Sequence, residues 1–250
     1  MNGSQLNKSG FKYKEFCGKT VDKMPQLIGE GRMPLSVAGL MEIRLETQNA
    51  PAEVRDYWRD NFFDTGDGIA YHPNGRIKIV ADAIPLREMN SGSRLVDGTL
   101  VLPHDIYKSL EGMEFTREAI ERYFSDGYTR EGAKLNPLWK ILARDQHLLN
   151  EYVDLTFAEA KLQFQYDTNM GIYIKDAPKN FSMRLWCIGM LRSGYAAFGG
   201  GGLAFSGGRI IGILPEVQHQ NPVVAPTLEQ ILTYSKSPII APANGVAQVY

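Results

Sequence analysis

Seven side chains in this sequence combine a group able to grip a ligand or move a proton with a position that makes such a role chemically sensible. Asp145 and Glu159 fall on what reads as the apolar side of one long helix. A buried carboxylate costs several kcal/mol unless it is paired or protonated. The two therefore point to a structural ion pair, an interface contact or a pair used in general acid–base work. Tyr152 lies between them on the same expected face, and Arg117 or Arg122 from the preceding segment could reach across. His72 is the other catalytic candidate, because an imidazole changes charge near neutral pH and this one shares the polar face of a hairpin with Arg76 and Lys78. Asp64 and Asp67, with Arg76 and Lys78, form the candidate ligand-binding set around that hairpin. His147, among Lys140, Arg144, Glu151 and Asp154, reads as a surface residue.

Local motifs add little to this set. Gly199 to Gly202 followed by Leu203-Ala204 satisfies the letter of a dinucleotide-binding glycine pattern. That pattern must open a helix, however, and Ser206-Gly207-Gly208 follows almost at once, so the run reads as a bulged hairpin. Asp60, Asp64 and Asp67 beside Gly66 and Gly68 suggest calcium, but Phe62 and Phe63 interrupt the ligand order of a calcium loop, and no metal site is expected. The four histidines are not spaced to share a metal. No nucleophile motif or cofactor fingerprint is present, so no cofactor is expected.

The stretch Phe63-Asp64-Thr65-Gly66-Asp67, leading into Asn74-Gly75-Arg76-Ile77-Lys78-Ile79, resembles a hairpin motif of adenylate-forming acyl-CoA synthetases. The resemblance implies that Asp67 would bind ribose hydroxyls of an adenylate. It covers fewer than a tenth of the residues, and the family's Ser/Thr/Gly-rich phosphate loop and the arginine after the hairpin are missing. Shared turn chemistry accounts for it.

The elements that must position these residues follow from pattern. Residues 1–35 mix Lys, Gly and Pro without a period and read as a partly ordered arm. Residues 40–47 fit either a strand or a helix capped by Ser36. Val54, Tyr57, Trp58 and Phe62 repeat at helical spacing over residues 50–63. The hairpin at His72-Pro73-Asn74-Gly75 has one register that segregates apolar from polar side chains. With Gly75 as a left-handed bulge, Tyr71 pairs with Ile77 and Ile69 with Ile79. Asp97-Gly98 marks a second hairpin.

Asn136 and Pro137 open the strongest helical signal, expected to run over 137–166 as one buried helix about 45 Å long. Its seven-residue recurrence of Ile141, Leu148, Leu155 and Leu162 suggests a central spine or an oligomer interface. Beyond residue 167, apolar runs separated by glycines read as an antiparallel sheet, and Thr227-Leu228-Glu229-Gln230 as a capping box before a loose tail over 241–250.

Composition bounds the rest. With 250 residues, 44% hydrophobic and 22% charged, the chain can bury a proper core without disulfides. Lys+Arg 27 against Asp+Glu 28 gives a net charge of −1 and no general pull toward nucleic acid. Cys17 and Cys187 form no metal or disulfide pattern, and Met1 to Gly10 lack the apolar run of a secretory signal, so a cytoplasmic location is expected. Arg192 and Arg209 interrupt the apolar segment 185–214, so no membrane span is expected.

The expectation is therefore an α+β protein: a mixed N-terminal part with two hairpins, a long central helix and a glycine-rich antiparallel C-terminal part. It is read as a single domain over 36–250 with a possible subdivision near residue 167. The first functional reading is a binding or assembly protein that self-associates through the long helix. The alternative is an enzyme or small-ligand binder with its site between residues 64–78 and the carboxylates Asp145 and Glu159.

Overall fold

A computed structural model describes residues 13–175 and 178–214. The expected capping box at 227–230 and the tail at 241–250 lie outside the described residues. Residues 13–34, expected to form part of an arm, instead supply strand β1 (Tyr13–Cys17), helix α1 (Thr20–Gly29) and the short strand β2 (Met33–Pro34). The chain then enters α2 (Val37–Glu46), and Ser36 Oγ accepts from the Gly39 N–H at 3.0 Å. That cap settles residues 40–47 as helix.

Helix α3 (Ala52–Arg59) is shorter than its apolar period suggests, because Phe63 already belongs to β3 (Phe63–Tyr71). β4 (Ile77–Val80) returns against β3 with Tyr71 opposite Ile77, Ile69 opposite Ile79, and Gly75 at φ +91°. This is the register that keeps one face apolar. A short helix α4 (Ile84–Arg87) leads to the hairpin β5 (Leu95–Val96) and β6 (Thr99–Val101), where Asp97 and Gly98 both take positive φ, as its two-residue turn requires.

Next come α5 (His104–Ser109), β7 (Met113–Phe115), α6 (Arg117–Glu121), β8 (Ser125–Tyr128) and α7 (Arg130–Leu135). The strong helical signal then divides into α8 (Pro137–Ala143) and α9 (Gln146–Phe164). β9 (Asn169–Ile174), β10 (Ser182–Ile188), β11 (Ala197–Gly201) and β12 (Arg209–Ile213) complete the described chain.

Among the described residues all twelve strands join one mixed sheet, in the order β1-β12-β3-β10-β11-β9-β8, with β4 and β7 branching from β3 and the β5–β6 hairpin from β10. The α+β class holds. The C-terminal strands are mixed: β11 is antiparallel to β10 but parallel to β9, and β12 is parallel to β3. Every residue of β3 is buried, so this central strand is covered on both faces. One apolar layer gathers Ile69, Tyr71, Ile77, Ile79 and Trp186 with residues of α2, α8 and α9, while the other joins Ala70, Val80, Met183 and Leu185 with Met24, Leu27 and Leu86. Each fully buried Leu, Ile, Phe or Met in these layers contributes roughly 1.5–3 kcal/mol.

The division of the long helix has a local cause. Arg144 takes a left-handed conformation at φ 63°, and the Asp145 carboxylate accepts from the Leu148 N–H at 2.7 Å, which ends one helix and caps the next. A left-handed non-glycine residue costs about 1–2 kcal/mol. Here it aims the Arg144 guanidinium at Asp67 and Asp82. The apolar arc that suggested self-association is largely used internally: Leu149, Tyr152, Val153 and Ala160 belong to the core, and Leu162 is the exposed large apolar residue of α9. No helix among the described residues is long and apolar enough to cross a membrane.

Candidate functional site

Of the seven candidate side chains, the structure brings three together. Asp145 is an exposed helix cap. Glu159 is half-buried fourteen residues further along α9, about 21 Å away at 1.5 Å per residue, and accepts from the Tyr195 hydroxyl at 3.2 Å. They are too far apart to share a substrate as an acid–base pair. Burial raises the Glu159 pKa, against the lowering effect of the Tyr195 hydrogen bond and of Arg59 and Arg44.

Arg44, which the sequence reading did not single out, organises this region. Its buried guanidinium donates to the Trp58, Asn61 and Gly189 carbonyls and to the Tyr152 hydroxyl, and its Cζ lies 4.1 Å from the centroid of the Tyr195 ring. It ties α2, the α3–β3 connection, α9 and the end of β10 into one unit.

Asp64 and Asp67 are enclosed by protein donors. Asp64 accepts from the Thr20 hydroxyl at 3.0 Å, from the Arg209 backbone N–H and from the Cys187 thiol. Burial pushes its pKa up to about 6, against the lowering effect of those bonds. Asp67 accepts from the Val37 N–H at 2.7 Å, the Asp82 N–H at 2.9 Å and Arg144 at 2.5 Å. The local cause is a bulge: Thr65, Gly66 and Asp67 of β3 stand opposite the single Trp186 of β10. Both carboxylates therefore serve as anchors between elements, and the geometry gives the acyl-CoA-synthetase-like role of Asp67 no free oxygen at which to hold a ribose.

His72, Arg76 and Lys78 converge at the tip and outer face of the β3–β4 hairpin, as expected. The structure adds Tyr107 and His104 from α5, Glu114 from β7, and Phe181 just before β10. The Phe181 ring lies 4.7 Å from His72, 4.8 Å from His104 and 5.2 Å from Tyr107, centroid to centroid. Lys78 donates to the Tyr107 and Leu110 carbonyls at 3.1 and 3.2 Å, fixing the far end of α5 over the hairpin. Its ammonium lies 4.9 Å from the centre of the Tyr107 ring.

Arg76 Nη1 meets Glu114 at 2.8 Å, and the Arg76 side chain, with further guanidinium donors, is 45% exposed. The His72 Nδ1 accepts from the Asn74 N–H at 3.0 Å. Partial burial, then Arg76, hold His72 below its ordinary pKa. Tyr107 and Lys78 are structural supports, whereas His104 is exposed and His72 and Phe181 are half-buried. Nothing in the sequence pattern links Phe181 to this hairpin. The connection is made by β10 pairing beside β3, with Ser182 opposite Tyr71.

The arrangement can bind a planar or apolar group against the rings and an anion at Arg76. Among the described residues no group of three His, Cys, Asp or Glu side chains is placed to hold a metal.

The fold is similar to that of a solved structure described as the accommodation of massive sequence variation in Nanoarchaeota by the C-type lectin fold. The match has a TM-score of 0.61 and 14% sequence identity, and covers 84% of this chain and all of that one. The fold is C-type lectin-like. No protein-family model matches the chain, and no curated protein matches it significantly. On this C-type lectin-like scaffold the β3–β4 hairpin, α5 and the start of β10 form one continuous surface held by Lys78 and the Phe181 ring. Fourteen per cent identity carries the architecture and nothing about ligands.

Proposed function

We propose that this chain is a binding protein, and that the surface centred on Phe181 is its contact site for a ligand joining a planar apolar group to a carboxylate or phosphate. The observation that carries the reading is the convergence of three rings, His72, His104 and Tyr107, around Phe181 beside the partly uncommitted Arg76 guanidinium. Exposed aromatic surface flanked by arginine is where binding energy concentrates. The related solved structure supports it indirectly, since a fold said there to accommodate massive sequence variation is one in which surface residues can change while the frame persists. A location in a reducing compartment such as the cytoplasm is part of the proposal, because Cys17 and Cys187 are both free thiols and lie on β1 and β10 with β12 and β3 between them.

Benzoate is the minimal probe of that chemistry. In a histidine-detected NMR titration it should shift the His72 and His104 ring resonances saturably, whereas benzyl alcohol or acetate alone should move them far less. Equal, non-saturating shifts for all three probes would remove the reading.

A further inference from the structure

Strand β10 carries a second, independent feature. On the sheet face shared with Ile69, Tyr71 and Trp186, the alternate residues Ser182, Arg184 and Trp186 each bury a polar atom with no protein partner: the Ser182 hydroxyl, the Arg184 Nε–H and the Trp186 indole N–H. Arg184 is 5% exposed. Its terminal nitrogens reach only backbone carbonyls, Gly200 at 3.4 Å and Asp97 at 3.0 Å, and no carboxylate among the described residues pairs with it. Burial lowers its pKa, against the raising effect of Tyr71 and Asp97.

The location is a discontinuity in the sheet. One edge of β10 pairs with β6 at Ser182 and Met183, and the same edge pairs with β11 from Leu185 onward, so its neighbour changes at Arg184. The two neighbours approach closely through glycines: a Cβ on Gly98 would stand 3.5 Å from the Gly202 Cα and 4.0 Å from Arg184 Nη1. The glycine run that resembles a phosphate cradle in sequence thus borders a buried guanidinium that forms no salt bridge among the described residues.

A buried donor without a partner is destabilising, and an unpaired buried charge is more so. Three such groups in a row, all able to donate and together cationic, are complementary to an acceptor-rich anion. We propose that Arg184 and Ser182, at the point where β10 exchanges β6 for β11, form a binding site for a small oxyanion, a carboxylate or a phosphate group. In this site Arg184 supplies the charge and its Nε donor, and Ser182 donates its hydroxyl. This site is separate from the surface around Phe181, and its test uses a different reporter.

The test is a titration of the whole protein with inorganic phosphate and, separately, with acetate, at ionic strength held constant with chloride, following the Trp186 indole resonance. The expected result is a saturable shift with at least one anion, the tighter of the two identifying the preferred group. Arg184→Met should abolish the shift, and Ser182→Ala should weaken binding about tenfold, the usual consequence of losing one hydrogen bond to a charged group. If Arg184→Met does not fold, Arg184→Lys and Ser182→Ala decide. Absence of a saturable shift with both anions, or unchanged affinity in the variants that fold, overturns the proposal.

Discussion

Arg144, in a left-handed turn between two helices, places its guanidinium 2.5 Å from Asp67 of the central strand and 2.8 Å from Asp82 beyond the β3–β4 hairpin. Asp67 is 1% exposed, whereas the Arg144 side chain remains 34% exposed, so the pair is a buried carboxylate reached from outside by one cation. Backbone N–H groups of Val37 and Asp82 complete the carboxylate's partners. Removing the cation leaves the charge stranded. Arg144→Met should therefore lower unfolding free energy by about 3 kcal/mol at pH 7 in urea titration. The loss should shrink in acid, where Asp67 accepts a proton and no longer needs the cation.

Asp64 is a second buried carboxylate, and no cation among the described residues reaches it from outside. Burial raises its pKa from 3.8 to about 6, and the bonds from Thr20, Arg209 and Cys187 only partly oppose that rise. The folded chain therefore holds this proton more tightly than the unfolded chain does. Its contribution is fully present below about pH 4 and is lost as pH rises through about 6. Two pH units correspond to something on the order of 3 kcal/mol. Asp64→Asn should consequently gain stability relative to the natural sequence at pH 7.5 and lose that advantage at pH 4. Denaturant midpoints across this range check it.

Glycines in the sheet differ in what they permit. A Cβ at Gly171 would stand 2.6 Å from the Asp126 carbonyl oxygen and 2.8 Å from both its carbon and the Ser125 oxygen, all backbone atoms of the neighbouring strand. At Gly201 the nearest atom, at 2.5 Å, is the Leu185 Cδ1, the end of a side chain that can rotate. Gly171→Ala should therefore destabilise by more than about 3 kcal/mol, and Gly201→Ala by about 1–3 kcal/mol. Thermal melts of the two variants give the comparison, and the reverse order would contradict the β8–β9 pairing.

Local pattern made parts of this molecule legible. The β3–β4 register followed from the need to keep Ile69, Tyr71, Ile77 and Ile79 on one face, and His72, Arg76 and Lys78 were placed together by the same argument. The division at Arg144 was not readable, because the apolar period continues through it. The left-handed turn is favoured by Asp67 and Asp82, more than sixty residues earlier. Asp145 accordingly turned from a presumed buried acid into a cap. Asp64 and Asp67 looked like turn residues, whereas the bulge opposite Trp186 draws them into the central strand. Tyr107, His104 and Phe181 join His72 only through tertiary pairing, which no spacing rule records.

The most direct test of the proposed binding surface compares benzoate affinity in the natural sequence with that of Phe181→Ala and Arg76→Gln. The account predicts that each substitution weakens binding about tenfold, in keeping with loss of an aromatic contact or of a charge-assisted hydrogen bond. Melting temperature should shift by only a few degrees, because Phe181 and Arg76 are both partly exposed. Unchanged benzoate affinity in both folded variants would contradict the account.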